Sequence, residues 1–298
     1  MTQTRKNTIA LGFFDGIHLG HQALMERAVL RAGQHGMDPA VFTFDRSPRE
    51  FVTGIPVPLI TGVEERKSII RSMFPIEKVF VGIFDRAMMT MHWRDYLHML
   101  VEEYGAGWLV AGHDFRFGHK NEGTVELLQA ECAAMGLGCD IIPPVTVDGV
   151  TVSSTHIRSL LERGDVENAT RFLGYPFSLS GTVCHGKGLG SRLGTPTLNV
   201  IPAPSQLLPA FGVYVTRVLA AGERFPAVTN VGVRPTVDQQ GGVTVESHLL
   251  GADRSLYGET CRVDFLRLLR EEKRFDTLEE LRLQMESDIA QAEAYFGI

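Results

Sequence analysis

The first half of the chain alternates short apolar runs with longer amphipathic stretches. The apolar runs predict five strands, at residues 8–11, 40–44, 78–83, 108–111 and 140–142. Between them, apolar residues spaced three and four apart predict four helices, at residues 21–35, 62–73, 93–104 and 124–135. Because strands that alternate with helices are typical of a parallel sheet with crossover helices, this half is predicted to be an α/β unit.

The periodicity changes in the second half of the chain. Residues 153–173 predict two short helices that end at Gly174, and we therefore predict domains at residues 1–174 and 175–298. Beyond that boundary apolar and polar residues alternate, which predicts an antiparallel β domain, most simply a barrel. A last helix is predicted from a capping box formed by Thr277 and Glu280. Its apolar stripe consists of Leu278, Leu281, Met285, Ile289 and Ala292.

Composition narrows the classes of function. The chain has 298 residues, of which 44% are hydrophobic, with 29 basic and 35 acidic side chains and a formal net charge of −6. An acidic protein has no overall field for a phosphate backbone, so we expect no nucleic-acid partner. Every apolar run is broken well before about 18 residues, so we expect no membrane span. Four cysteines without a CxxC motif are typical of reduced thiols, and we predict a cytoplasmic location.

The first candidate site lies between the first predicted strand and helix. Its sequence is Gly-Phe-Phe-Asp-Gly-Ile-His-Leu-Gly-His, and its candidate phosphate-binding residues are Gly12, Asp15, Gly16, His18, Gly20 and His21. Helix N-termini bind phosphate through free N–H groups, and imidazoles donate hydrogen bonds to phosphate oxygens, so the pattern favours nucleotidyl transfer. Two alternatives are that the histidines only cap the helix or that they bind a metal.

The second candidate site is a glycine-rich segment at the start of the predicted β domain. Residues 181–199 contain several glycines together with Lys187 and Arg192, a composition that forms anion-binding turns but is also common in ordinary hairpins. At its end, Thr197 and Asn199 offer a hydroxyl and a carboxamide oxygen, which suit Mg²⁺ held together with substrate phosphates.

Together with three further segments of the first half, TFDRSP at 43–48, GHDFRFG at 112–118 and VSSTHIR at 152–158, the histidine segment resembles the bifunctional riboflavin kinase/FMN adenylyltransferase family. In the second half, GTPTLN at 194–199, NVGVRPT at 230–236 and VESHL at 245–249 follow the same family in order. The resemblance extends from about residue 9 to about residue 292 and implies a Rossmann-like nucleotidyltransferase domain followed by a riboflavin kinase barrel with a C-terminal helix. It implies ATP as co-substrate with Mg²⁺, riboflavin, FMN and FAD as the flavins, and a monomer or weakly self-associating enzyme.

The resemblance also implies roles for individual residues. In the first half it places ATP phosphates on His18 and His21, the nucleotide and flavin on Asp114, Phe115 and Phe117, and the departing pyrophosphate on Ser154, Thr155 and Arg158. In the second half it assigns Mg-ATP to Thr197 and Asn199, and the general base to Glu246. It further implies phosphate binding by Gly186, Lys187, Gly188 and Gly190, and flavin binding by Arg270 and Phe275. From spacing alone, Ser154 and Thr155 also suit a helix cap, and Glu246 a solvated strand position.

The chain departs from the family pattern at two places in its first half. Phe13 stands where many members carry Asn, and Arg46 and Ser47 stand where the family often has a proline and a histidine. The first alternative is therefore an enzyme that retains only one activity, and these departures make the adenylyltransferase the half more open to alteration. The second is a flavin- or nucleotide-binding regulator without turnover, which Thr197, Asn199 and Glu246 argue against.

Overall fold

The computed structural model describes residues 5–184, 197–233, 243–251 and 256–298, and the chain forms two compact units, residues 1–154 and 155–298. The packing division lies between Ser154 and Thr155, so the two helices that follow pack with the second unit. The boundary predicted after residue 174 concerns the functional domains and stays a prediction.

A five-stranded parallel sheet forms the centre of the first unit. Its strands are β1 to β5, at Asn7–Leu11, Asp38–Phe44, Lys78–Gly82, Ala106–Gly112 and Gly138–Ile142. They lie in the order β3-β2-β1-β4-β5, and every pair is parallel. All five residues of the central strand β1 are buried. The predicted α/β unit is confirmed, with strand ends that differ by one or two residues.

Six helices connect or flank these strands. They are α1 to α6, at Leu19–His35, Pro48–Thr53, Val63–Met73, Arg86–Thr90, Trp93–Glu102 and Val125–Ala134. The sequence did not predict α2 and α4, because helices of six and five residues are too short to show an apolar period. A small antiparallel hairpin, β6 and β7 at Thr146–Val147 and Val150–Thr151, ends the unit.

The second unit contains a closed antiparallel barrel of six strands. They are β8 to β13, at Ser178–Cys184, Leu198–Pro202, Gly212–Ala220, Glu223–Val233, Val243–Leu249 and Thr260–Glu271. They lie in the order β10-β11-β12-β9-β8-β13, which confirms the predicted barrel. Within β10, β11 and β12, the buried hydroxyls of Thr216, Thr229 and Ser247 form a chain with distances of 2.6 and 2.8 Å. This chain of hydrogen bonds satisfies hydroxyls that would be costly to bury alone.

The described residues of this part of the chain also form three helices: α7 and α8, at Ser154–Glu162 and Val166–Leu173, and α9 at Leu278–Phe296. The helix α9 begins as predicted, because Thr277 Oγ1 accepts the N–H of Glu280 at 3.2 Å. Its inner residues Ile289 and Ala292 pack on Val213 and Val228 of the barrel. Leu278 was predicted on this apolar stripe but is 64% exposed in the first turn. In the described part of the chain, no helix has the length and apolar character needed to cross a bilayer.

Candidate active sites

The loop between β1 and α1 has a constrained backbone. Gly16 has a φ of +86°, and two residues other than glycine, Phe14 and Ile17, also lie in the left-handed region with φ of 57° and 36°. Such residues rarely adopt this conformation, and it persists only where packing imposes it. Phe14 and Ile17 are both fully buried, which supplies that packing. The loop therefore has one fixed shape, which brings the following residues to the end of the central strand.

His18 and His21 lie together where this loop enters α1. Their rings stack with centroids 3.5 Å apart, and His18 Nδ1 accepts the backbone N–H of His21 at 3.3 Å. Because Nδ1 is the acceptor, the proton of a neutral His18 is on Nε2. Burial lowers the pKa of His21 well below its usual value, and the charges of His18 and Arg66 lower it further. The Nδ1 atom of His21 is buried without a hydrogen-bond partner. An anion that binds on the solvent side of two such stacked imidazoles favours their protonated forms, because its charge is opposite to theirs.

Asp15 and Gly16 contact the protein rather than solvent. The N–H of Thr61 donates to Asp15 Oδ1 at 3.0 Å, and the N–H of Gly16 donates to Thr61 Oγ1 at 2.8 Å. Ser154 Oγ donates to the Asp15 carbonyl at 2.8 Å. These bonds hold the loop, while the predicted phosphate contacts of Asp15 and Gly16 stay predictions.

The two other glycines of the motif lie against rings. A Cβ at Gly12 would meet the Phe14 ring at 2.8 Å, and a Cβ at Gly20 would meet the His18 ring at 3.1 Å. Glycine at both positions therefore allows the rings to lie close to the backbone, as the motif requires.

Arg66 on α3 lies behind the loop, and the sequence did not single it out. Its side chain is completely buried, and Nη1 donates to the Phe13 carbonyl at 2.5 Å and to Thr43 Oγ1 at 2.8 Å. Its guanidinium lies 4.4 Å from the centre of the Phe13 ring. The departure at Phe13 thus has a physical consequence, because the aromatic ring stacks on a buried cation where an asparagine could only form hydrogen bonds.

The second departure also has a local role. Ser47 is buried and its hydroxyl accepts the N–H of Glu50 at 3.3 Å, so it caps α2. Arg46 is exposed and pairs with Asp45 at 3.2 Å, while Asp45 accepts the N–H of Phe84 at 2.8 Å. The residues that stand in place of the family's histidine motif therefore begin the short helix α2 in this chain.

A cavity of about 550 Å³ opens beside α2, α4 and the loop after β4. Its apolar side includes Phe44, Phe84, Met88, Phe115 and Phe117, and its polar side includes Arg49, Arg116, His119 and Lys120. The Phe115 and Phe117 rings are stacked with centroids 5.5 Å apart. This size and this mixture of flat apolar and cationic walls suit a planar aromatic ligand with an anionic group.

The predicted residues of the GHDFRFG segment have different positions. Phe117 is buried in the core against Trp93 and Tyr96 as well as lining the cavity. Phe115 is half-buried, and Asp114 is exposed outside the cavity lining. Phe115 is therefore the aromatic side chain of this segment that is most available to a ligand.

The SSTHIR segment forms the start of α7. Thr155 is exposed and Arg158 half-buried on this helix, whose opposite face buries Ile157 and Leu160. Thr155 and Arg158 belong to the second compact unit, whereas Ser154 belongs to the first. The helix thus presents its polar residues on the face away from its own core, as a binding surface requires.

The barrel site is organised by strand register. Glu246 on β12 is paired with Asn199 on β9 and with Asn230 on β11. Directly paired residues of antiparallel strands have Cβ atoms about 4.5–5.5 Å apart and share one face of the sheet. The carboxylate of Glu246 therefore lies between the carboxamides of Asn199 and Asn230. Thr197, two residues before Asn199, lies on the same face. The sequence predicted roles for Glu246, Thr197 and Asn199, but it assigned none to Asn230, because a motif does not reveal register.

A cavity of about 340 Å³ lies over this face and beneath α9. Thr197, Asn230, Glu246 and His248 line one side, and Val213, Leu281, Met285 and Ile289 line the apolar side. Phe275 and Lys273 complete the wall, with the Lys273 ammonium 5.0 Å from the Phe275 ring centre. Apolar walls with a few polar groups at one end are typical of a small-molecule site.

An ion pair joins the two walls of this cavity. Arg270 Nη2 lies 2.9 Å from Asp288 Oδ2, and Arg270 Nε lies 3.1 Å from each carboxylate oxygen. Asp288 is only 2% exposed and also accepts from Gln284 at 2.8 Å. Arg270 lies with its guanidinium carbon 5.7 Å from the Phe275 ring centre. The pair fixes the predicted flavin residue Arg270 beside Phe275, and sequence reasoning missed Asp288.

Part of the predicted phosphate site lies outside the described residues. These positions are Gly186, Lys187, Gly188 and Gly190. Their assignment stays a prediction from the sequence. In the described part of the chain, no group of three or more His, Cys, Asp or Glu side chains is arranged to hold a metal ion.

Comparison with known proteins finds a family match in each half of the chain. Residues 1–156 match the FAD synthetase family and residues 173–296 match the riboflavin kinase family. The bifunctional riboflavin kinase/FMN adenylyltransferase of Pseudomonas fluorescens is 36% identical over 95% of this chain and 91% of its own length. The protein of the same name from Escherichia coli K12 is 35% identical over 97% of this chain and 93% of its own length.

One solved structure also matches over most of its length. A crystal structure named as a macrolide-efflux protein from Streptococcus pneumoniae is 28% identical, with a TM-score of 0.86, over 96% of this chain and 93% of that chain. The order of the folded elements is therefore shared with a protein whose name describes a different function.

Proposed function

The chain belongs to the bifunctional riboflavin kinase/FMN adenylyltransferase family, and we propose which of its residues perform the two reactions. It phosphorylates riboflavin to FMN with ATP, and it adenylylates FMN to FAD. We propose residues 175–298 as the kinase domain and residues 1–174 as the adenylyltransferase domain. The observation that carries the assignment of residues is the pairing of Glu246 with Asn199 and Asn230 beneath α9.

In the kinase reaction Glu246 is the general base. Its carboxylate takes the proton of the ribityl 5′-hydroxyl as that oxygen bonds to the γ-phosphorus of ATP and ADP leaves. The isoalloxazine ring lies in the apolar part of the cavity, against Phe275 and Met285. Asn230, which is paired with Glu246, orients the carboxylate or the substrate hydroxyl.

The same site fits Mg²⁺ brought in by ATP. Thr197 offers a hydroxyl and Glu246 a carboxylate at the cavity wall. Asn199, which is paired with Glu246 on the next strand, adds a carboxamide that is only 4% exposed and lies behind that wall. Magnesium prefers such oxygen ligands, few in number and completed by substrate phosphates. Bound there with ATP, the ion neutralises charge on the phosphate oxygens. We propose Thr197 and Asn199 as its protein ligands.

Asp288→Asn is expected to raise KM for riboflavin and to destabilise the kinase domain by about 3 kcal/mol, since it leaves the partly buried Arg270 without its anion. Steady-state kinetics and thermal unfolding measure the two effects. Glu286→Gln on the same helix is the control, because Glu286 is exposed and its ion pair with Arg282 contributes little. An unchanged KM in Asp288→Asn would show that Arg270 does not contact the flavin.

In the adenylyltransferase reaction the FMN phosphate attacks the α-phosphorus of ATP, and pyrophosphate leaves. No general base is needed, because a phosphate monoester is largely ionised near neutral pH. His18 and His21 donate hydrogen bonds to the polyphosphate at the N-terminus of α1, where the helix dipole adds positive potential. Ser154, Thr155 and Arg158 at the start of α7 bind the departing pyrophosphate.

The 550 Å³ cavity beside α2 and α4 is the proposed FMN site of this domain. Phe115 stacks on the flavin ring, and the cationic side chains at the other end, among them Arg49 and Arg116, attract the phosphate. This proposal is supported by the aromatic and cationic lining rather than by Asp114, which is exposed.

Phe115→Ala is expected to raise KM for FMN about tenfold, because the variant loses roughly one stacking interaction with the flavin ring. Phe115→Tyr retains the ring and should keep KM within about twofold. Initial rates of FAD formation at varied FMN concentration test this. Equal KM values in all three proteins would place the flavin elsewhere.

The whole assignment is tested by a product assay with riboflavin, ATP and Mg²⁺, with flavins separated by chromatography. We expect FMN and then FAD. Accumulation of FMN alone would mean that the substitutions at Phe13, Arg46 and Ser47 have removed adenylyl transfer, and no product at all would contradict both assignments. The cytoplasmic location and the monomeric or weakly self-associating state remain proposals from the sequence.

A further inference from the structure

Arg66 has a bonding pattern that packing alone does not explain. Its side chain is 0% exposed, yet Nε and Nη2 have no hydrogen-bond partner. Burial lowers its pKa to about 10, while Asp15 and Asp45 act in the opposite direction. Those two carboxylates accept from other donors, the N–H groups of Thr61 and Phe84. A buried cation with unused donors destabilises the fold, and an apolar side chain of similar volume would pack without that cost.

The contacts that Arg66 does make all lead to the candidate catalytic loop. Nη1 binds the carbonyl of Phe13, which precedes the strained turn, and Thr43 Oγ1, which itself donates to the same carbonyl at 2.8 Å. One guanidinium group therefore ties the end of β1 to β2 at the point where the loop begins. A shift of this carbonyl would be transmitted to His18 and His21 through a turn whose φ angles leave little freedom.

The charge of Arg66 also acts on His21. It is one of the groups that lower the pKa of His21, together with burial and His18. Two unpartnered donors on Arg66 and the unpartnered Nδ1 of His21 are buried in this unit. The loop therefore has positive potential and buried polar atoms without hydrogen-bond partners, which is the complement of a polyphosphate.

We propose that Arg66 is a positioning residue for adenylyl transfer, which fixes the β1–α1 loop from behind and supplies the buried positive charge that ATP polyphosphate meets at His21. This inference rests on the role proposed above for His18 and His21. Arg66 takes no part in bond making. Its charge compensates the negative charge that the polyphosphate brings to the loop, so that the histidines can donate hydrogen bonds to the leaving pyrophosphate.

The test compares Arg66→Met, which removes the charge, with Arg66→Lys, which keeps it, in the full-length protein. Arg66→Met should lower kcat/KM for ATP in FAD formation by about 10- to 100-fold, and Arg66→Lys should recover most of it. Riboflavin kinase activity of the same samples should be unchanged, which shows that the kinase part is intact, and thermal unfolding of each variant shows that the first unit is folded. Arg71→Met, an exposed arginine of the same helix, is the matched control.

Two spectroscopic readouts separate positioning from a merely structural role. In NMR titrations the pKa of His21 should rise in Arg66→Met and stay low in Arg66→Lys. In the wild type, the Arg66 Nε–H resonance should shift when the ATP analogue with a methylene α,β-bridge binds, and this measurement needs no variant to fold. Normal FAD formation by Arg66→Met, an unshifted His21 pKa, or an Arg66 resonance insensitive to nucleotide would each overturn the proposal. Wild type that makes no FAD would instead overturn the function proposed for the loop.

Discussion

Glu246→Gln abolishes phosphorylation of riboflavin and leaves the conversion of supplied FMN to FAD unchanged; this is the result we expect. Glutamine keeps the size of the side chain and its place between Asn199 and Asn230, but it cannot accept a proton at neutral pH. General-base catalysis typically contributes about 10²- to 10⁴-fold, so kcat should fall by that amount with little change in KM. Initial rates with riboflavin and with FMN as alternative substrates provide the measurement.

The matched control for this variant is Glu259→Gln. Glu259 is an exposed glutamate just before β13 in the same unit, so its substitution should leave both activities intact. If Glu246→Gln retained more than about a tenth of the wild-type kinase rate, Glu246 would be a substrate-orienting residue and the proton would go to another acceptor or to the phosphate itself.

The sequence predicts the kinase residues only in part because motifs do not specify strand register. Alternation correctly predicts a strand through Glu246, but Asn199 and Asn230 are 47 and 16 positions away. Only the observed pairing shows that all three side chains share one face. A one-residue slip of β12 would turn Glu246 toward the barrel interior, where Ser247 now lies.

The buried charges were harder to predict than the aromatic residues. Arg66 and Lys67 are adjacent basic residues in a helical pattern, and nothing in that pattern distinguishes them. Arg66 is completely buried, whereas Lys67 forms an ion pair on its own helix with Glu64 at 2.9 Å. Asp288 gave a usable signal, because it is the one charge between apolar Met285, Ile289 and Ala292 on the inner face of α9. A charged residue on the apolar face of a predicted helix is thus a candidate for a buried ion pair or a functional group.

The 550 Å³ cavity of the first unit, which we propose as the FMN site, could not be predicted for a different reason. Its walls include α2 and α4, which are too short for a periodic pattern, and Phe84 lies between β3 and α4. The GHDFRFG segment pointed to a loop that lines this cavity, and Phe115 is the half-buried ring of that segment, whereas Phe117 is buried in the core. Cavities built from connecting segments depend on tertiary packing that local sequence does not encode.

His21→Ala is expected to give the largest loss of adenylyl transfer. We expect kcat for FAD formation to fall by about 10²- to 10³-fold, the typical effect of removing one donor that stabilises charge in the transition state. Phosphorylation of riboflavin should continue, so that FMN accumulates from riboflavin and ATP. The result is measured by chromatographic separation of flavins and by release of pyrophosphate.

The control for this variant is His98→Ala, an exposed histidine on α5 of the same unit. Because the His21 ring packs on His18 and against Phe14, thermal unfolding of His21→Ala must also be recorded. If His21→Ala is folded and forms FAD at the wild-type rate, His21 is only a packing residue. The polyphosphate would then be bound by His18, whose Nε2 carries the donor proton, and by the helix N-terminus. A folded variant that binds ATP normally but releases no pyrophosphate would instead place the contribution of His21 in the transition state rather than in binding.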